Sequence, residues 1–322
     1  MAFKLVAVSA LVLFGLASLP TDACAEITAH KTEDGVAIRI DGKLFTQYLT
    51  QAGHAPAMWP VIGPTGEAVT RGFPFEPATK DGTKDHPHHQ SLWLAIDKVN
   101  GGDFWEANKK DDKGDTGPHI AHREFVKVES NGSIARVVTR NDWMNGEKRI
   151  CEDERTVTYG FGDDNSRWID FKITIKASDG DVTFGDTKEG MFALRVADSM
   201  RVDAKQGGRI FNSSGKENQD AWGLPARWVD YTGPVGGETV GITVMSHPKS
   251  FRPLPRWHVR TYGLFAANPI GQSDFPNPEA AKQGPVTLKN GESMTLRYRV
   301  LLHRGPTDRV ATEKAFRAFA TR

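Results

Sequence analysis

Apolar and polar residues alternate with a period of two in run after run of this chain. Val36, Ile38 and Ile40 alternate near the start, and Ile169, Phe171, Ile173 and Ile175 do so in RWIDFKITIKAS. That period puts one set of side chains on one face of an extended strand, so each run predicts a half-buried strand. ARVVTRNDW, RTVTYGF, GMFALRVA, ARWVDYTG and TVGITVMSH add further strands. PVTLKNGESMTLRYRVLLH reads as a hairpin turning at Asn290-Gly291, a pair suited to a type I′ turn, whose two central residues take positive φ. One segment has helical spacing instead. Thr307 or Asp308 is placed to cap RVATEKAFRAFA, with Val310, Ala311, Ala315, Phe316 and Phe319 as the stripe that packs on a sheet. Many strands and one terminal helix predict a mostly β fold: a large antiparallel β-sandwich with a short C-terminal helix. No internal repeat and no low-complexity linker divides the chain, so residues 26–322 read as one domain. EANKKDDKGDTGP, residues 106–118, reads as an exposed loop.

The N-terminus departs from this pattern. Lys4, the apolar run Leu5 to Leu19, and Ala23-Cys24-Ala25 have the layout of a secretory signal peptide over residues 1–25, with cleavage before Glu26. The expected location is periplasmic or extracellular. A lipid anchor on Cys24 is the rival reading, opposed by Thr21 and Asp22 where a lipobox wants apolar and small residues. No later stretch is long and apolar enough for a transmembrane segment. The formal net charge of +1 gives no electrostatic reason to expect nucleic acid or an anionic membrane as partner. Of two cysteines, Cys24 leaves with the signal, so no disulfide inside the mature chain is expected.

Candidate chemistry concentrates in three segments. KDHPHHQSLW carries His86, His88 and His89. Imidazoles serve acid–base work near neutral pH and bind transition metals. If the segment is extended, His86 and His88 share a face as two ligands for a divalent transition metal, with His89 opposite. The plainer alternative is a polar loop. In RWHVRTYGLFAANP, a strand would align His258, Arg260 and Tyr262, which can move a proton, hold a carboxylate or oxyanion, and act through a phenol. Trp257, Val259 and Thr261 take the opposite face. FGDTKEGMFALRVA offers Glu189 before an apolar run, an Asp186–Lys188 pair on one face, and Arg195, which needs a partner if buried. His247 ends a strand, His303 reads as structural, and the tryptophans suit sugar rings, although most tryptophans are core. No phosphate loop, dinucleotide fingerprint or nucleophile elbow is present, and Cys151 lies among acids that would raise its pKa.

Several blocks occur in one order over nearly the whole mature chain: MWPVIGPTGEAVTRGFPFE, DHPHHQSLW, GDTKEGMFALRVADSM, WGLPARWVDY and HPKSFRPLPRWHVRTYGLFAANPIG. In these the chain resembles the PmoA-like family of exported bacterial proteins, often labelled "methane oxygenase PmoA". A true methane monooxygenase subunit of that name crosses the membrane several times, and this chain has no such spans. The resemblance implies a sandwich of the galactose-mutarotase type, a supersandwich with a sugar-facing cleft worked by His, Glu and Arg. The expected function is transformation of a carbohydrate by acid–base chemistry of epimerase, lyase or hydrolase type. His258, Glu189, Arg260 and Tyr262 would be catalytic. His86, His88, His89, Lys188, His247, Trp257 and Asn268 would contact the substrate. The alternatives are a carbohydrate-binding protein without catalysis, and a metal-dependent oxygenase or hydrolase built on His86 and His88.

Overall fold

The computed structural model describes residues 25–80, 82–106, 117–277 and 284–322. The predicted signal peptide up to residue 24 and most of the predicted loop at 106–118 lie outside the described residues. No described helix is long and apolar enough to cross a membrane.

The alternating runs do form strands, and every pairing between them is antiparallel. In chain order they are β1 (Ile27–Lys31), β2 (Gly35–Ile40), β3 (Lys43–Ala52), β4 (Ala55–Val61), β5 (Leu92–Ile96), β6 (His119–Ser130), β7 (Ile134–Asn145), β8 (Lys148–Phe161) and β9 (Arg167–Lys176). They continue as β10 (Val182–Phe184), β11 (Gly190–Arg195), β12 (Arg209–Asn212), β13 (Trp228–Val235), β14 (Glu238–Ser246), β15 (Arg256–Val259), β16 (Leu264–Asn268), β17 (Val286–Leu288) and β18 (Ser293–Arg304). One eight-stranded sheet has the order β1-β2-β3-β4-β5-β11-β16-β15, and a second has the order β12-β13-β14-β18-β9-β8-β7-β6. Their facing sides share one core. Leu92, Leu94, Phe192, Phe265 and Trp257 come from the first sheet, and Val137, Ile169, Ile173, Val244 and Val300 from the second. Phe192 joins them directly, edge-on to Phe171 and stacked on Tyr298.

The terminal helix α1 (Arg309–Ala320) is capped by Asp308, whose carboxylate accepts from the Val310 and Ala311 amides. It buries Phe316 and Phe319 against Trp228 and Met245 on the outer side of the second sheet. Val310, expected in the apolar stripe, is instead 80% exposed, because the buried face runs through Thr312, Phe316 and Phe319. The expected hairpin at Asn290-Gly291 is also corrected. β17 pairs with β10, whereas β18 pairs with β9 and β14, so the turn passes the chain between sheets. Only Gly291 takes positive φ (89°), with the Glu292 amide donating to the Lys289 carbonyl. That is the requirement of a type II turn rather than type I′.

Candidate active site

The outer side of the first sheet carries a hollow, and its floor follows from strand register. Side by side across five strands lie His258 (β15), Ala266 (β16), Ala193 (β11), Trp93 (β5) and Ala57 (β4). The alanines, with Ala95 and Leu264, form a small apolar cluster with Trp93 and Trp105, separate from the main core. Methyl groups between a tryptophan and a histidine let the overlying side chains approach closely, and Ala193 and Ala266 are completely covered.

Over this floor sits the segment 85–91. It is a turn rather than a strand: His86 has φ +46° and the His89 amide donates to the His86 carbonyl (3.0 Å). The turn gathers all three imidazoles instead of splitting them between faces. The His86 and His89 rings stack at 4.7 Å, and His88 meets both edge-on at 5.6 and 4.5 Å. Asp85 organises the cluster. Its carboxylate accepts from Arg71 Nη1 (3.0 Å) and Arg195 Nη2 (2.9 Å), and lies 2.5 Å from His86 Nδ1. Burial works to raise the Asp85 pKa, but the bond from His86 and the Arg195 charge overcome this and hold it well below the usual carboxylate range. Ionised Asp85 therefore keeps a proton on His86 Nδ1, so that in the neutral ring Nε2 carries the lone pair. Arg195 also donates to His89 Nδ1 (3.0 Å). A guanidinium only donates, so His89 is neutral with its proton on Nε2. Burial, followed by the His88 and Arg195 charges, keeps its pKa well below the ordinary value.

The second wall comes from β15, β16 and the approach to β11. His258 is 2% exposed and its Nδ1 donates to the Lys188 carbonyl (3.0 Å), which again leaves Nε2 as an acceptor. Burial, then the Arg260 charge, pushes its pKa down to about 3. Glu189 Oε2 lies 3.8 Å from His258 Nδ1; with the ring neutral this is a dipolar contact, not an ion pair. Tyr262 stacks on His86 and Arg260 lies over the Tyr262 ring, so the two histidine-bearing segments meet. Tyr262 closes the hollow. Its ring stacks on His86 at 5.3 Å and lies under the guanidinium of Arg195 at 4.9 Å. Arg260 rests over the rings of Trp222 and Tyr262, 5.4 Å from each centroid.

A model of the family of unknown function DUF6807 matches residues 35–317. The chain belongs to that family. No curated protein sequence matches it. Among solved structures, it is similar to the GalM/aldose epimerase homologue from C. elegans, with 11% identity over 88% of this chain and 100% of that one, at a TM-score of 0.34. It is also similar to the 4-alpha-glucanotransferase from Thermococcus litoralis, at 9% identity and TM-score 0.28, over 88% of this chain and 38% of that one. A polysaccharide lyase aligns at 15% identity and TM-score 0.26, over 89% of this chain and 33% of that one. Likenesses this distant transfer no activity.

In this DUF6807 chain the expected site residues divide. His86, His88, His89, Glu189, His258, Arg260 and Tyr262 border the hollow, although β15 ends at Val259 and Tyr262 stands in the turn that follows. Gly263 makes that turn, with φ +103° and its amide donating to the Arg260 carbonyl. Trp257 does not reach the hollow: it points into the sandwich core, where Nε1 donates to the Ala226 carbonyl. His247 belongs to the other sheet and packs edge-on against Phe319 of α1. Lys188 pairs with Glu189 (2.7 Å) rather than Asp186, whose carboxylate accepts from the Gln272 and Ser273 amides. Asn268 is completely buried and fully used. Its amide donates to the Thr187 and Lys188 carbonyls and its oxygen accepts from Ile270 and Gly271, so it positions the segment bearing Glu189.

The metal reading lacks a donor set. Among the described residues no group of three or more His, Cys, Asp or Glu is placed to hold an ion, and Asp85 and Arg195 already occupy a nitrogen each of His86 and His89. Sequence reasoning missed Asp85, whose only signal was adjacency to His86, and Arg71, which carried none. It also missed His54, 1% exposed, with both ring nitrogens unpartnered and its pKa lowered to about 3 by burial and then by His88.

Proposed function

We propose that this chain is an exported enzyme that transforms a carbohydrate by proton transfer in the hollow, by epimerisation, elimination or glycosidic cleavage. The export step is drawn from the N-terminal pattern alone. The observation that carries the enzyme reading is the Asp85–His86 pair. It joins a carboxylate anchored by two arginines to an accessible imidazole whose orientation and tautomer it fixes. This is the arrangement a general base needs, because the carboxylate stabilises the imidazolium formed when Nε2 takes a proton.

The other groups divide the work by their protonation. Glu189 is the counterpart acid or base on the opposite wall. His258 holds no proton on Nε2 near neutral pH, so it accepts a hydrogen bond from a substrate hydroxyl and orients it. His89, with Nε2–H, supplies a donor. Arg260 and Tyr262 stabilise negative charge that develops between the walls. Support for a sugar comes from the lining, in which the half-buried Trp222 and Tyr262 supply aromatic surface among many hydrogen-bonding groups.

The test is turnover of a glycan panel followed by NMR. His86→Ala is expected to lower kcat by about 10²–10⁴-fold with unchanged circular dichroism. A variant with undiminished turnover would remove His86 from the mechanism. Binding by the wild type with no product from any member of the panel would leave a carbohydrate-binding protein without catalysis.

A further inference from the structure

Among the described residues bordering the hollow, Arg260 is the cation with neither a carboxylate partner nor a side-chain hydrogen bond to a neutral acceptor. Arg71 and Arg195 share Asp85, at 3.0 and 2.9 Å. Lys188 has Glu189 at 2.7 Å. Arg256, further along β15, is consumed by Gln272 and by the Gly223, Pro276 and Asn277 carbonyls. Arg260 has no carboxylate within 4.0 Å among the described residues, and its Nε is buried without an acceptor. Its guanidinium is nevertheless held in place by the two flanking rings.

A half-buried guanidinium with unused donors carries a desolvation cost that a bound anion relieves. The geometry favours one kind of anion. The guanidinium is itself planar, and with the Trp222 and Tyr262 rings limiting its movement its fork of donors suits the two oxygens of a carboxylate. Arg260 also stands two residues beyond His258, and its guanidinium lies over the same Tyr262 ring that stacks on His86. A ligand anchored on it therefore lies between the two walls.

We propose that the sugar bound in the hollow is acidic, a uronate-type residue whose carboxylate sits on Arg260. This rests on the carbohydrate reading above and adds the substrate class to it.

The experiment is isothermal titration of the full mature chain with a panel of uronate disaccharides and the methyl esters of the same disaccharides, at low ionic strength. At least one acid is expected to bind wild-type protein about tenfold or more tightly than its ester, the scale of a charge-assisted pair. Arg260→Met is expected to abolish that preference. Arg260→Lys is expected to keep part of it, because a point charge remains where the planar fork is lost. Equal binding of every acid and its ester, or a preference that survives Arg260→Met, overturns the proposal and leaves the carbohydrate reading standing. Failure of all the disaccharides to bind overturns both. Should Arg260→Met not fold, the acid–ester comparison on wild type and on Arg260→Lys decides the matter.

Discussion

At the scale of single residues, the histidines differ in charge state more than in position. His54, His89 and His258 are buried and held neutral, chiefly by desolvation. The unfolded chain takes up protons at these positions below about pH 6.5, and the folded chain does not. Their contribution is therefore fully present above that pH and is lost as pH falls toward 3, by up to about 1.4 kcal/mol per pH unit for each imidazole. His303 runs the other way. Burial acts to lower its pKa, but the bond and charge of Asp230 raise it, so it stabilises at low pH and loses that contribution as pH rises through its folded value. Burial also lowers the pKa of His88, His122 and His247, so six histidines against one predict that thermal stability falls between pH 7 and pH 5, and that His54→Phe flattens the fall; a flat or rising profile for wild type would contradict this. KDHPHHQSLW displayed the imidazoles plainly. What it concealed was the positive φ at His86 that turns the segment and brings Asp85 under it, since that conformation answers to Arg71 and Arg195 far along the chain.

At the scale of elements, alternation was legible wherever one strand face is buried and the other is not, as in β7, β8 and β9. It also divided Trp257 from His258 correctly, one to the core and one to the hollow. It failed where local pattern leaves partner choice open. Three-residue β17 joins β10 because β18 is already flanked by β9 and β14. The same limit hid the work of Asn268, whose amide ties the end of β16 to the residues before β11 while its oxygen holds the Ile270 and Gly271 amides. Asn268→Ala leaves those buried groups unpaired, so a loss of about 2 kcal/mol or more is expected in chemical denaturation. Glu189 would be displaced with them and turnover lowered. Full stability in the variant would mean that the segment is fixed by other contacts.

At the scale of the whole molecule, two sheets supply one core between them, and the first sheet spends its outer side on the hollow. The sequence indicated a sandwich because nearly every run is half apolar. It gave no sign of which outer side would be roofed, because the register that aligns His258, Ala266, Ala193, Trp93 and Ala57 joins residues from distant parts of the chain. The proposed export adds an expectation at the first strand. Protein recovered from the periplasm or medium should begin at Glu26, whose backbone nitrogen lies 2.8 Å from the Asp41 carboxylate and would carry a positive charge after cleavage. Mass spectrometry of the intact exported protein showing retained residues before Glu26 would count against it. The account as a whole depends on the hollow being where chemistry occurs. The most direct measurement is a crystal structure of His86→Ala soaked with a sugar that the wild type converts. The sugar ring should lie between Tyr262 and Glu189, with an oxygen on Arg260; a sugar seated elsewhere on the molecule, with the hollow holding none, would contradict it.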